Sequence, residues 1–238
     1  MNNINALFDR MDAWQHLANY QLERRADIFF SLYLPEVLEK KLGFPVKQEL
    51  VPEFPVHIKT IYGYETDKSY KIDYVAFSEK LDKAVFVELK TDGTSRRLEQ
   101  DEYLCKAKEA GFNALLKGLK TIFKVTTSKR KYFQLFELLE KAELISIPDE
   151  VKAIMNRPNL QGLTELISEI QPIKVPSELH IVYIQPTIES DDSFPDCIST
   201  HITFNQFAEV VKSYDDPISQ RFAISLGKWA KRKPGERV

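Results

Sequence analysis

Three residues stand out for their type and spacing: Asp73, inside the apolar run 70–77, and Glu88 and Lys90, closing the apolar run 84–90. Along a strand the side chains alternate, so Glu88 and Lys90 share one face while Val85, Val87 and Leu89 take the other. If the two runs pair as a hairpin, Asp73 comes beside Glu88 on that face. Two carboxylates brought within a few ångströms repel unless they share a cation, and oxygen donors suit a hard ion such as Mg2+, with Mn2+ as a substitute. Lys90 next to that ion can hold a water and stabilise charge on a reacting phosphate, which phosphodiester hydrolysis requires. The plain alternative is a solvated hairpin face stabilised by cross-strand charge pairs.

The elements that must position these residues are legible in outline. Leu7, Trp14, Leu17, Leu22, Phe29 and Leu32 recur at helical spacing over residues 4–34, with Pro35 placed to open a following helix and Gly43 to close it. From Phe44 onward Pro45, Pro52 and Pro55 break helices while Val46, Leu50 and Val51 favour extended chain, which predicts a strand region with irregular joints. Three extended runs, 57–65, 70–77 and 83–90, predict an antiparallel meander that takes Tyr62, Tyr64, Tyr70 and Tyr74 into strands. After the turn at Asp92-Gly93 a helix is expected over 95–110, with Ser95 as its N-cap and Gly111 as its stop. Further helices are expected at 113–124, 132–144, 160–170, 207–214 and 218–231, and strands at 179–185 and 198–204. The simplest organisation is one α/β domain over 1–238 with a helical insertion at 112–176.

Composition narrows the function classes. The 238 residues are 43% hydrophobic and 29% charged, which suits a globular chain able to bury its own core. Two cysteines, Cys105 and Cys197, are too few for a disulfide framework, and this points to a reducing compartment. No apolar run reaches membrane-spanning length and the N-terminal residues lack a signal-peptide pattern, so a soluble, cytoplasmic protein with no membrane partner is expected. A net charge of −2 provides no global field for a polyanion, but charge is segregated locally. Residues 106–131 hold eight basic residues against the single acid Glu109, and Lys129, Arg130 and Lys131 form the expected phosphate contact. A solvated lysine face is the competing account. The basic run 228–233 offers a lesser contact of the same kind. The four histidines lack metal-ligand spacing, and no CxxC, GxSxG, Walker loop or GxGxxG occurs.

At Ile72-Asp73 and Glu88-Leu89-Lys90 the chain resembles the PD-(D/E)XK nuclease superfamily, over roughly residues 22–111 with 179–185 as the next core strand. The resemblance implies a restriction-endonuclease-like fold, a mixed sheet with an antiparallel meander flanked by helices. It also implies that Asp73, Glu88 and the Leu89 carbonyl ligate Mg2+ while Lys90 positions the attacking water. Ile72 stands where the family name has proline, a residue with no chemical role there. Family members often carry a further acid near the start of the domain, for which Glu23, Glu36, Glu39, Glu49 and Glu53 all qualify. Gln100 resembles the supporting Gln of RecB-like members, although Tyr103 follows it by three residues and not four. The function implied is hydrolysis of nucleic acid, DNA foremost, with a homodimer natural for double-strand cuts. A non-catalytic module binding nucleic acid or protein on the same fold is the competing expectation.

Overall fold

The structure is a computed structural model and describes residues 3–17, 19–92, 96–160, 162–188 and 194–231. In chain order the elements are α1 (Asn3–Trp14), α2 (Leu22–Leu42), β1 (Val51–His57), α3 (Ile58–Tyr62), β2 (Ser69–Phe77), β3 (Lys83–Leu89), α4 (Leu98–Ala110), α5 (Phe112–Val125) and α6 (Lys129–Lys141). They continue with β4 (Ile145–Ser146), α7 (Asp149–Met155), α8 (Leu163–Leu166), a 3-10 turn (Ile167–Glu169), β5 (Gln171–Pro172), β6 (Glu178–Gln185), β7 (Thr200–Thr203), α9 (Phe204–Val211) and α10 (Pro217–Trp229). The protein is α/β, with a five-stranded mixed sheet in the order β1-β2-β3-β6-β7 and helices flanking it.

Strands β1, β2 and β3 form the expected antiparallel meander, but its first strand lies at Val51–His57 and not at 57–65. Residues Ile58–Tyr62 are a short helix, so Tyr62 and Tyr64 are not in a strand. Pro52 and Pro55 lie in β1, an edge strand paired only with β2, and edge strands are where sheets accommodate proline. Likewise Pro35 does not open a helix but lies within α2. Phe30, Tyr33, Leu34, Val37 and Leu38 are buried on both sides of it, and that packing offsets the roughly 3 kcal/mol that an interior proline costs.

The chain groups into two compact bodies, and the division falls inside β3 and β6 instead of at the ends of 112–176. In the first (Met1–Val46, Glu88–Leu98, Val182–Val238), Phe30 meets Phe204, Phe207 and Phe222 with ring centroids 5.0–5.3 Å apart. Asp12 ties α1 to α10 there: its carboxylate accepts from Arg221 at 2.8 Å, Lys228 at 2.7 Å and Trp229 Nε1 at 3.0 Å. In the second (Lys47–Val87, Glu99–Ile181), Phe112 packs on Phe54 and Phe77. Segment 112–176 lies wholly in this second body and is mainly helical, with the small β4-β5 ladder added.

No helix among the described residues is long and apolar enough to cross a membrane. Neither Cys105 nor Cys197 is a free thiol.

Candidate active site

Strand β3 is flanked by β2 and β6, so its residues from Ala84 to Leu89 are buried without alternation. That burial continues into its polar end. Glu88 is 1% exposed and Lys90 5%, and Lys90 Nζ donates to Glu88 Oε1 at 2.7 Å. Removing a carboxylate and an ammonium from water costs several kcal/mol each, and only a close pair with further hydrogen bonds recovers it. The two are therefore not part of a solvated hairpin face. A buried ion pair at the end of a central strand is a feature that stability alone does not favour, because apolar side chains of like volume serve at least as well there.

Asp73 lies on β2 and is half-buried. β2 pairs with β3 from Phe77 opposite Ala84 to Tyr74 opposite Val87. On the other side, β1 pairs Pro52 with Tyr74 and Phe54 with Ile72, which sets Glu53 level with Asp73. Glu53 has a left-handed backbone (φ 51°), and its carboxylate bonds Lys71 Nζ at 2.7 Å. Of the other candidate acids, Glu36 accepts from the Tyr214 hydroxyl, whose pKa that bond raises to about 12. Glu39 is exposed, while Glu23 and Glu49 are half-buried.

On α4, Gln100 is half-buried and its neighbour Asp101 is fully buried. Asp101 is an acid that the sequence reading did not single out. Its signal was a carboxylate one position from a motif residue in the first turn of an amphipathic helix. Tyr103 anchors the helix: its ring lies parallel to that of Tyr70, centroids 4.5 Å apart, and its hydroxyl donates to the Lys71 carbonyl at 2.8 Å. Tyr70 in turn donates to Glu99 at 2.8 Å, a bond that raises the phenol pKa to about 12. The N-cap expected at Ser95 lies outside the described residues.

The basic segment 106–131 divides by use. Lys129 Nζ donates to the Phe123 and Lys124 carbonyls at the end of α5, at 2.8 and 3.1 Å. Arg130 donates to the carbonyls of Met155 at 2.6 Å and Arg157 at 2.5 Å, at the end of α7. Both satisfy helix C-termini, where carbonyls lack partners and the dipole favours a cation. Burial lowers the pKa of Lys120, whose ammonium donates to the Ser168 and Ile170 carbonyls. Lys131 is exposed, as are Lys117 and Lys124. Of the expected phosphate-contacting trio, the fold thus employs Lys129 and Arg130 itself. In the basic run near the C-terminus, Lys228 bonds Asp12, and Arg232 and Lys233 lie outside the described residues.

The donor set of Asp73, Glu88 and the Leu89 carbonyl is all oxygen, and Mg2+ is commonly held by one or two carboxylates with water and phosphate completing its shell. Among the described residues, no group of three or more His, Cys, Asp or Glu side chains could hold a metal ion. No family model matches the chain, no curated protein matches it, and no solved structure matches it.

Proposed function

We propose that this protein is a Mg2+-dependent phosphodiesterase of restriction-endonuclease-like fold that hydrolyses nucleic acid, DNA foremost. The observation that carries the reading is the buried Glu88–Lys90 pair at the end of the central strand β3, one residue beyond the Tyr74–Val87 pair of the meander. Asp73 and Glu88, with the Leu89 carbonyl, would hold the cation, and Mn2+ fits the same oxygens. When bound, the ion neutralises charge developing on the phosphate. Lys90 would orient the attacking water through its ammonium, and burial excludes competing solvent around both groups. Gln100 belongs to the supporting shell, and Lys131 is the exposed member of the expected phosphate contact. A homodimer follows if both strands of a duplex are cut.

The non-catalytic alternative draws on one observation, that Glu88 Oε1 is already satisfied by Lys90 without a cation. Calorimetric titration of Mg2+ and Mn2+ into wild type and Asp73→Ala, with a cleavage assay on linear, nicked and single-stranded DNA, decides between the two. Metal binding and metal-dependent cleavage, both lost in Asp73→Ala, are expected. A folded wild type that binds neither ion would sink the enzymatic reading in favour of the binding module.

A further inference from the structure

Helix α5 is packed on one face and borders open space on another. Gly118 brings it against His57 and Thr60, and Phe112, Leu115, Leu119 and Ile122 are buried as well. Asn113, Leu116, Lys117 and Lys120 recur at i, i+3, i+4 and i+7, which sets them on a single stripe of the helix. That stripe lines a cavity of about 270 Å3, whose other walls are Phe136 of α6, Ile145 of β4, and Ile170, Gln171 and Pro172 at β5. The whole cavity lies within the second body.

Two ties hold its walls in place. The β4-β5 ladder pairs Ile145 with Pro172 and Ser146 with Gln171. The Lys120 ammonium donates to the Ser168 and Ile170 carbonyls, which joins α5 to the 3-10 turn before β5. Ligand cavities are largely pre-formed in this way, and those for drug-sized molecules begin at roughly 300 Å3, so this one suits a guest of about ten non-hydrogen atoms.

The lining has two kinds of chemistry. Leu116, Phe136, Ile145 and Ile170 are buried and supply apolar wall. Its charged groups are Lys117 and Lys120, beside the amides of Asn113 and Gln171, and no acid lines it among the described residues. Burial lowers the pKa of Lys120, and the charges of Lys124 and Lys117 add to that, so the three ammonium groups share one positive field. Lys120 is committed to backbone carbonyls, whereas Lys117 is exposed and forms no ion pair among the described residues. A neutral apolar guest leaves that field uncompensated, and a bare anion leaves the apolar walls in water. A guest carrying both parts satisfies the lining.

We propose that this cavity binds a small organic carboxylate, its apolar body against Leu116, Phe136, Ile145 and Ile170 and its carboxylate at the mouth with Lys117 and Asn113. The inference is independent of the nuclease reading, since none of Asp73, Glu88 and Lys90 lines the cavity.

The test titrates phenylacetate, its neutral counterpart phenylacetamide and inorganic phosphate into full chains of wild type, Lys117→Met and Leu116→Phe by calorimetry, with the Tm of each variant measured alongside. Lys117→Met keeps the apolar stem and removes the charge at an exposed position, and Leu116→Phe fills the cavity. Phenylacetate is expected to saturate a single site on wild type with Kd below about 1 mM. Phenylacetamide is expected to bind at least about threefold more weakly, a gap that closes in Lys117→Met. Leu116→Phe is expected to weaken both by about tenfold or more, and inorganic phosphate to leave phenylacetate binding unchanged. Saturation of wild type only above about 10 mM would overturn the inference. So would equal affinity for acid and amide, displacement by equimolar phosphate, or a folded Leu116→Phe that binds as wild type does. If Leu116→Phe does not fold, the acid–amide gap in wild type against Lys117→Met decides alone.

Discussion

Replacing Lys90 by Met leaves the carboxylate of Glu88, 1% exposed, without the ammonium that now donates to it at 2.7 Å. Breaking a buried pair from one side costs about 3–5 kcal/mol, because the surviving charge has been desolvated and is no longer compensated. For a chain of this length each kcal/mol moves Tm by roughly 2–4 °C, so Lys90→Met is expected to unfold at least about 6 °C below wild type. Removing both charges together, as Glu88→Leu with Lys90→Met, puts apolar volume where an ion pair stood and is expected to restore stability to wild type or above. Thermal and urea unfolding followed by circular dichroism complete this double-mutant cycle, whose coupling term is the quantity of interest. A Lys90→Met protein within about 0.5 kcal/mol of wild type would show that the carboxylate is solvated, and the argument from burial would fail. So would a double variant as unstable as the sum of its single changes.

Three further outcomes are expected. Gly118→Ala places a Cβ 2.6 Å from Thr60 Oγ1 and 3.1 Å from His57 Cβ, so a net loss of about 1 kcal/mol is expected in urea unfolding despite the gain in helix propensity; a stabilised variant would mean that α5 is not held that close to α3. Burial raises the carboxyl pKa of Asp12, but hydrogen bonds from Lys228, Arg221 and Ser225 outweigh it and hold the value below the usual 3.8. Such a group contributes stability above its unfolded pKa and loses it as pH falls through the folded one. Asp12→Asn is therefore expected to cost about 2 kcal/mol at neutral pH, with the gap to wild type closing below pH 3.8, as read by Tm against pH; a gap that stays constant down to the acid limit would refute it. Arg130→Met is expected to cost about 0.5–1 kcal/mol by releasing the carbonyls at the end of α7, while Lys131→Met leaves urea stability unchanged; equal stability of the two variants would refute this division.

The sequence by itself determined the elements whose pattern is local. The apolar runs carrying Asp73 and Glu88-Leu89-Lys90 became the strands β2 and β3 in antiparallel register, and Phe112–Val125 became a helix, because a period of two or of 3.6 is written into neighbouring residues. Pro35 misled because the rule against an interior proline assumes that the bent helix goes uncompensated, whereas Pro52 and Pro55 marked a region without helix that became β1. An edge position and a continuous buried face are tertiary facts. The tertiary structure alone decided that Glu88 and Lys90 are buried, since burial depends on β6, nearly a hundred residues downstream, lying along β3. It likewise decided that Lys129 and Arg130 serve helix ends, because their acceptors at the ends of α5 and α7 come into reach only through packing.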